Sequence, residues 1–384
     1  MKVLHILNGL GFGGAETWLL EIIKKNQGVV QFDFLLTGGV ERELDKEFTK
    51  LGCRLHYVRF SGKRIVPFCI AINRVVRSGK YTVIHDHEDF VAGWHWLYLI
   101  FNLPAVRIAH AHNSMIYINN YAKSAGRKFF YKAGKILNAL LATKITGTSD
   151  KLMQELGYNK AIYKRKRIEP LYCGTEPGLF VYSDSSHNKL RQQFGFEVGD
   201  KLVIFIGRIG LERANEINHK NPELAFALAQ RLVKEDPSYK FIFVGEKGRL
   251  AEFFEQEINA QKMENNIFFL GKRKDINQLL IASDLMLFTS ILEPFGVVLI
   301  EAQFSALPLV SSDIITRETV VFPELFQLLN VVNADIDEWV EAIKKRFGLT
   351  YDRQSFTKKN EDRIAQSIFS TENSYRRLIH HYRN

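Results

Sequence analysis

The chain alternates from end to end between short runs of β-branched and aromatic residues and longer stretches with helical periodicity. Residues 3–7 precede a helical 15–25, and 32–36 precede a helical 41–51; residues 82–85, 106–109 and 145–147 continue the strands. The second half repeats the scheme, with strands at 202–206, 240–244, 267–270, 285–288 and 309–310 and helices at 222–234 and 250–262. Strands joined by helices run parallel, and both faces of their sheet are covered. The predicted fold class is α/β. A chain of 384 residues is long for one core, so two Rossmann-like domains are expected in tandem. The seam falls between Gly174 and Asp200, where 175–178 and 182–187 are polar and turn-rich. The expected domains are 1–178 and 190–362, with a helix over about 363–384.

Charge is divided unevenly between these halves. Residues 1–180 carry 26 Lys and Arg against 14 Asp and Glu, and the remainder carry 26 against 28. The excess positive charge of the first half suits an anionic partner or ordinary solubility. Cys53, Cys69 and Cys173 are widely spaced and odd in number, which gives no disulfide or metal framework. Met1–Gly14 leads straight into a strand and a glycine loop without signal-peptide architecture, so a cytoplasmic location is expected.

Several junctions carry chemistry. Glu293-Pro-Phe-Gly-Val-Val-Leu-Ile-Glu301 places one carboxylate in a loop and the other on the helix that follows. Unpaired N–H groups at such a helix start attract anions, and a neighbouring carboxylate suits hydroxyls. Gly207-Arg208 follows a strand, and Lys220-Asn221-Pro222 opens a helix. A guanidinium fork and an ammonium make a clamp for a diphosphate; Arg213 is the rival to Lys220. Gly9-Leu-Gly11-Phe-Gly13-Gly14 satisfies G-x-G-x-x-G, which admits a dinucleotide-binding oxidoreductase, with Asp33 near the distance for the ribose acid. His110 and His112 share a strand face, and His85-Asp86-His87-Glu88 ends the strand before. Their strand-like spacing, with no cysteine near, argues against a metal site. Asp335-Ile-Asp337 precedes an amphipathic helix and reads as a cap.

Together these motifs resemble the retaining GT-B glycosyltransferases of family 4, in particular the bacterial exopolysaccharide and capsule type. E-P-F-G-x-x-x-x-E-A, G-R followed by K-N, Val244-Gly245, Phe269-Leu-Gly271, Ser283-Asp284, Gly13-Gly14-Ala15-Glu16 and Arg107-Ile-Ala-His-Ala-His-Asn113 all match in order. Leu307 replaces the glycine usual in A-x-G-x-P. The resemblance implies two Rossmann-like domains with parallel sheets facing an interdomain cleft, the terminal helix packing back on the first. It implies transfer of a sugar from a nucleotide sugar, UDP-linked, to a glycan or polyprenyl-phosphate-linked acceptor. Arg208, Lys220, Glu293 and His112 would be catalytic. Gly13, Gly14, Gly207, Phe295, Gly296, Val297, Glu301 and Arg273 would bind donor, and His87, His110 and Asn113 would lie on the acceptor side. No cofactor or metal is implied, and no nucleic acid. The alternatives are the oxidoreductase using Gly9–Gly14 and a non-catalytic carbohydrate- or lipid-surface-binding protein.

The stretch 121–141 interleaves Lys123, Arg127, Lys128, Lys132 and Lys135 with Phe129, Phe130, Ile136, Leu137 and Leu140. It reads equally as a helix on an anionic membrane, peripheral to the inner face, and as ordinary domain surface.

Overall fold

The computed structural model describes residues 1–62, 64–210, 218–349 and 351–384. It separates into two compact units. The first comprises Met1–Thr175 with Ile368–Asn384, and the second comprises Glu176–Ser367.

Strands β1 (Lys2–Leu7), β2 (Gln31–Leu36), β3 (Arg54–Tyr57), β4 (Val83–Asp86), β5 (Val106–Ala111) and β6 (Lys144–Gly147) build the first sheet in the order β3-β2-β1-β4-β5-β6. Strands β7 (Lys201–Ile206), β8 (Tyr239–Val244), β9 (Ile267–Gly271), β10 (Leu285–Phe288), β11 (Leu309–Ser312) and β12 (Phe326–Leu329) build the second, in the order β12-β11-β10-β7-β8-β9. Every pairing is parallel. Central strands such as β4 and β10 are buried at every residue, as expected of sheets covered on both faces. In such sheets ligands gather beyond the carboxyl ends of the strands, at the point where strand order reverses. That point lies between β1 and β4 in the first unit and between β7 and β10 in the second.

Some elements differ from expectation. Edge strands β3 and β12 were absent from the pattern because their residues are largely half-buried or exposed and carry no continuous apolar run. The helix expected over 41–51 is confined to Asp45–Lys50. The helix expected over 121–141 starts only at Ala125 and runs to Leu141, after a separate helix Met115–Tyr121, with the Ser124 side chain capping it by accepting from Arg127 N–H. The terminal helix is likewise divided into Glu361–Ala365 and Thr371–Arg383, the latter capped by Ser370. Asp335 caps Ile336–Gly348 by accepting from Asp337 N–H.

The helix Thr371–Arg383 belongs to the first unit. Trp18 Nε1–H donates to Ser374 Oγ at 2.7 Å, and Ser374 Oγ donates to the Tyr172 carbonyl at 2.8 Å. Thr175 and Ser370 form a parallel bridge beside it.

Candidate active site

In the second unit the ends of three adjacent strands carry glycine: Gly207 after β7, Gly245 after β8 and Gly271 closing β9. Gly245 is needed for close approach. Its φ is +151°, and a Cβ there would overlap the Gly207 carbonyl oxygen. The result is bare backbone at these three strand ends.

Lys220 crosses the Gly207 backbone. A Cβ on Gly207 would lie 2.9 Å from the Lys220 side chain. The loop beneath Lys220 is fixed from two sides. Asn218 Nδ2 donates to the Arg208 carbonyl at 2.9 Å, and Lys220 N–H donates to Asn218 Oδ1 at 3.2 Å. Buried Thr289, just beyond β10, shares its one hydroxyl proton between the Asn221 and Lys220 carbonyls. Asn221 sits in the left-handed region (φ 50°) and caps Pro222–Glu235, with Pro222 at the first helical position. This local chemistry makes the lysine a fixed point.

Lys220 Nζ pairs with Glu293 Oε2 and lies 5.5 Å above the Phe288 ring. Glu293 precedes the turn Pro294-Phe295-Gly296. Gly296 is left-handed (φ 88°), and a Cβ there would come within 2.9 Å of Leu299 and 3.2 Å of Glu293. It opens the helix Val297–Phe304 without a side-chain cap, which leaves N–H groups of the first turn available to an anion. Phe295 is buried, so it contributes backbone here. Glu301 lies on that helix, half-buried.

The other expected donor residues are placed less directly. Arg208 is half-exposed, its Nε 3.6 Å from Glu246, which also meets Lys272 at 3.3 Å. Arg273 is held bidentately by Asp275 at 2.8 and 2.6 Å, a contact that raises its pKa and lowers that of Asp275. Its charge is therefore satisfied within the chain. Arg213 lies outside the described residues. Thus Gly207, Lys220, Glu293, Gly296 and Val297 come together, Arg208 stands beside them with its own carboxylate, and Arg273 is committed elsewhere.

The corresponding region of the first unit is built from histidine. His5 of β1 and His85 of β4 are register partners, and strand alternation puts His87, His110 and His112 on the same face. His87 bonds His5 and His112, each at 2.9 Å; His85 bonds His110 at 3.1 Å and Tyr382 at 2.8 Å; Tyr382 also meets His5 at 3.3 Å. Trp18 stands edge-on to His87 and His110. Burial lowers the pKa of His5 to about 3 and of His112 to about 4, and those of His85, His87 and His110 well below the usual value, so the rings are neutral. His110 is enclosed rather than lining a surface, because it lies under Trp18. His112 and Asn113 are half-buried, and Asp89 accepts from both backbone N–H groups and from Asn113 Nδ2. Burial pushes Glu88 up to about 7 and Asp89 to about 6. His5, Trp18 and Tyr382 were missed in the sequence. The available signal was a histidine inside the apolar run Val3–Leu7.

The glycine loop does not form a dinucleotide site. Gly13 caps Gly14–Lys25 with no side-chain bond, but Asp33 lies inside β2, fully buried, bonded to Tyr81 at 2.8 Å and to Arg54 N–H. A ribose acid is needed at the end of that strand.

Solved structures share this fold. The Anabaena protein HepE in complex with UDP and glucose superposes with a TM-score of 0.77 at 20% identity, over 99% of this chain and 98% of that one. WaaG, a glycosyltransferase involved in lipopolysaccharide biosynthesis, gives 0.72 at 15%, over 97% and 98%. The fold of the two units is thus of the GT-B type. The family described as Glycosyltransferase Family 4 matches residues 12–178 and that described as Glycosyl transferases group 1 matches 186–363, and the chain belongs to the family 4 glycosyltransferases. Among relatives, EpsF of Bacillus subtilis, a glycosyltransferase by name, is 26% identical over 99% of this chain and 96% of its own. The capsular polysaccharide biosynthesis glycosyltransferase CapH of Staphylococcus aureus is 26% identical over 82% of each. The Escherichia coli UDP-Gal:α-D-GlcNAc-diphosphoundecaprenol α-1,3-galactosyltransferase is 22% identical over 71% and 68%.

Proposed function

We propose that the enzyme transfers a sugar from a UDP-sugar, with retention, to a glycan or polyprenyl-phosphate-linked acceptor in surface polysaccharide synthesis. The observation that carries this reading is the convergence, in the second unit, of glycine strand ends, an anchored lysine and an uncapped helix start. Arg208 and Lys220 neutralise the departing diphosphate, and the amides after Gly296 add partial positive charge. Glu293 holds sugar hydroxyls after yielding Lys220, and Glu301 holds the ribose. Gly13 and Gly14 border the donor, His112 attends the sugar, and His87, His110 and Asn113 support the acceptor side. The transfer step needs no metal, since cationic side chains supply the charge. The names of CapH and of the E. coli galactosyltransferase support the acceptor class.

We further propose that the enzyme works in the cytoplasm, on the inner membrane face. No helix among the described residues is long and apolar enough to cross a membrane. On Ala125–Leu141, Phe129, Ile136 and Leu140 are exposed along one stripe, flanked by exposed Lys128 and Lys132. Phe130 instead stacks on Trp94 at 4.9 Å, and Lys135 donates to the Leu156 carbonyl, so neither serves the surface.

The test is hydrolysis and transfer across a panel of nucleotide sugars, with thermal shifts for UDP, GDP, ADP and NAD. A UDP-sugar should turn over and UDP should stabilise. Stabilisation by NAD alone, or turnover of none of the sugars, would refute the reading.

A further inference from the structure

The histidine cluster divides into two arms. In one, His87 Nε2 meets His5 Nδ1 at 2.9 Å and His5 Nε2 meets the Tyr382 hydroxyl at 3.3 Å. In the other, His110 Nδ1 meets His85 Nε2 at 3.1 Å and His85 Nδ1 meets the same hydroxyl at 2.8 Å. At the outer end of the arms, one nitrogen from each of His87, His110 and His112 lies within 4.8 Å of the other two. His110 is 0% exposed, yet its Nε2 has no hydrogen-bond partner. A buried polar atom left this way is destabilising.

The surroundings are also short of positive charge. Asp86 and Asp89 are buried and Glu88 half-buried, on either side of His87. Their bonds come from His95, Thr37, Asn113 and backbone N–H groups, and among the described residues no lysine or arginine pairs with them.

We propose that His87, His110 and His112 form a three-histidine site for a transition-metal dication of the zinc class. Imidazole nitrogens suit zinc, and three protein ligands leave a fourth position for water or another oxygen. Ligation gives His110 Nε2 its missing partner. It also sorts the protons. With His87 bound through Nδ1 and His110 through Nε2, their other nitrogens carry hydrogen and donate to His5 and His85. These in turn donate from their far nitrogens to the Tyr382 oxygen, where both arms end. Metal-bound histidines need an outer shell of this kind to fix tautomer and orientation. Half-buried His112 marks the way in. The ion is separate from the diphosphate clamp, which the proposed function gives to Arg208 and Lys220, but it takes His87, His110 and His112 from the sugar and acceptor roles given them there.

The experiment uses the full chain, stripped with chelator and titrated with Zn²⁺ by calorimetry, with Co²⁺ as a spectroscopic probe. One ion should bind per chain, with a tetrahedral Co²⁺ spectrum. His110→Ala and His87→Ala should abolish binding, and Tyr382→Phe should weaken it about 10–100-fold. His380→Ala, on the exposed terminal helix, should leave it unchanged. Absence of binding in the wild type, or full affinity in His110→Ala, would overturn the site. If circular dichroism shows His110→Ala or His87→Ala unfolded, His112→Ala and Tyr382→Phe decide: full zinc affinity in both overturns it equally.

Discussion

Numbered within its own unit, each sheet follows the same path, 3-2-1-4-5-6, and the two differ in what stands where the order reverses. In the second unit Gly207 ends β7 there, with Gly245 and Gly271 beyond it on β8 and β9, and the Lys220–Glu293 pair crosses the space. In the first unit the same position is filled by five neutral imidazoles and a tyrosine. Topology fixes where a site can be, and side-chain volume decides its kind. Removing side chains opens backbone to a phosphate, whereas filling the space with polar rings builds a closed, hydrogen-bonded interior.

The largest effect should follow from breaking the open site. Lys220→Ala should lower transfer about 10²-fold or more in steady-state assays, with an unchanged melting midpoint. Arg208→Ala should act in the same direction. Full activity in Lys220→Ala together with loss in Arg213→Ala would move the clamp to Arg213.

The closed site should reveal itself through acid. In chelator-stripped protein its five rings stay neutral when folded and take protons near pH 6.5 when unfolded. Unfolding therefore binds protons as pH falls, and the stability these rings contribute at neutral pH should be lost progressively as pH falls from about 6.5 through about 3. Glu16, Glu88 and Asp89, raised to about 7, 7 and 6 by burial, act oppositely over part of that range, but they are fewer. Thermal scans against pH should show this loss, and a flat profile would mean the rings are already charged or solvated.

Smaller effects sharpen the contrast. Thr289→Val removes the one hydroxyl donor shared by the Lys220 and Asn221 carbonyls and should cost about 1–3 kcal/mol in denaturant titration. On the outer surface, Lys128→Glu with Lys132→Glu should weaken co-sedimentation with anionic liposomes by about 1 kcal/mol per lysine, more at low salt. Equal binding to neutral and anionic vesicles would return this helix to ordinary surface. Chelator addresses both sites at once: transfer lost and restored by Mg²⁺ or Mn²⁺ would contradict a metal-free transfer step.

Most strands were legible because a buried parallel strand needs an unbroken apolar run, as in Val203–Phe205 or Leu285–Phe288. Edge strands Arg54–Tyr57 and Phe326–Leu329 lack that requirement and were silent. Helix breaks at Ser124 and Ser370 were read through because a capping serine looks like any polar surface residue. At the site, Gly207, Lys220, Glu293 and Gly296 were visible as punctuation at strand-to-helix junctions. The carboxylate partners of Arg208 and Arg273 were not, since Glu246 and Asp275 have no marked spacing. Nor could Tyr382 be tied to His85 and His5, from which it is separated by 297 and 377 positions. Only the folded path brings them together.

That path sets an order of assembly. Ser374 bonds Trp18, and Tyr382 joins His5 to His85, so the first unit is finished by residues that leave the ribosome after the entire second unit. During synthesis His5 and His85 must wait without Tyr382 while the later sheet has all its strands. A chain truncated after residue 367 should therefore hold a protease-resistant second unit beside a sensitive first one.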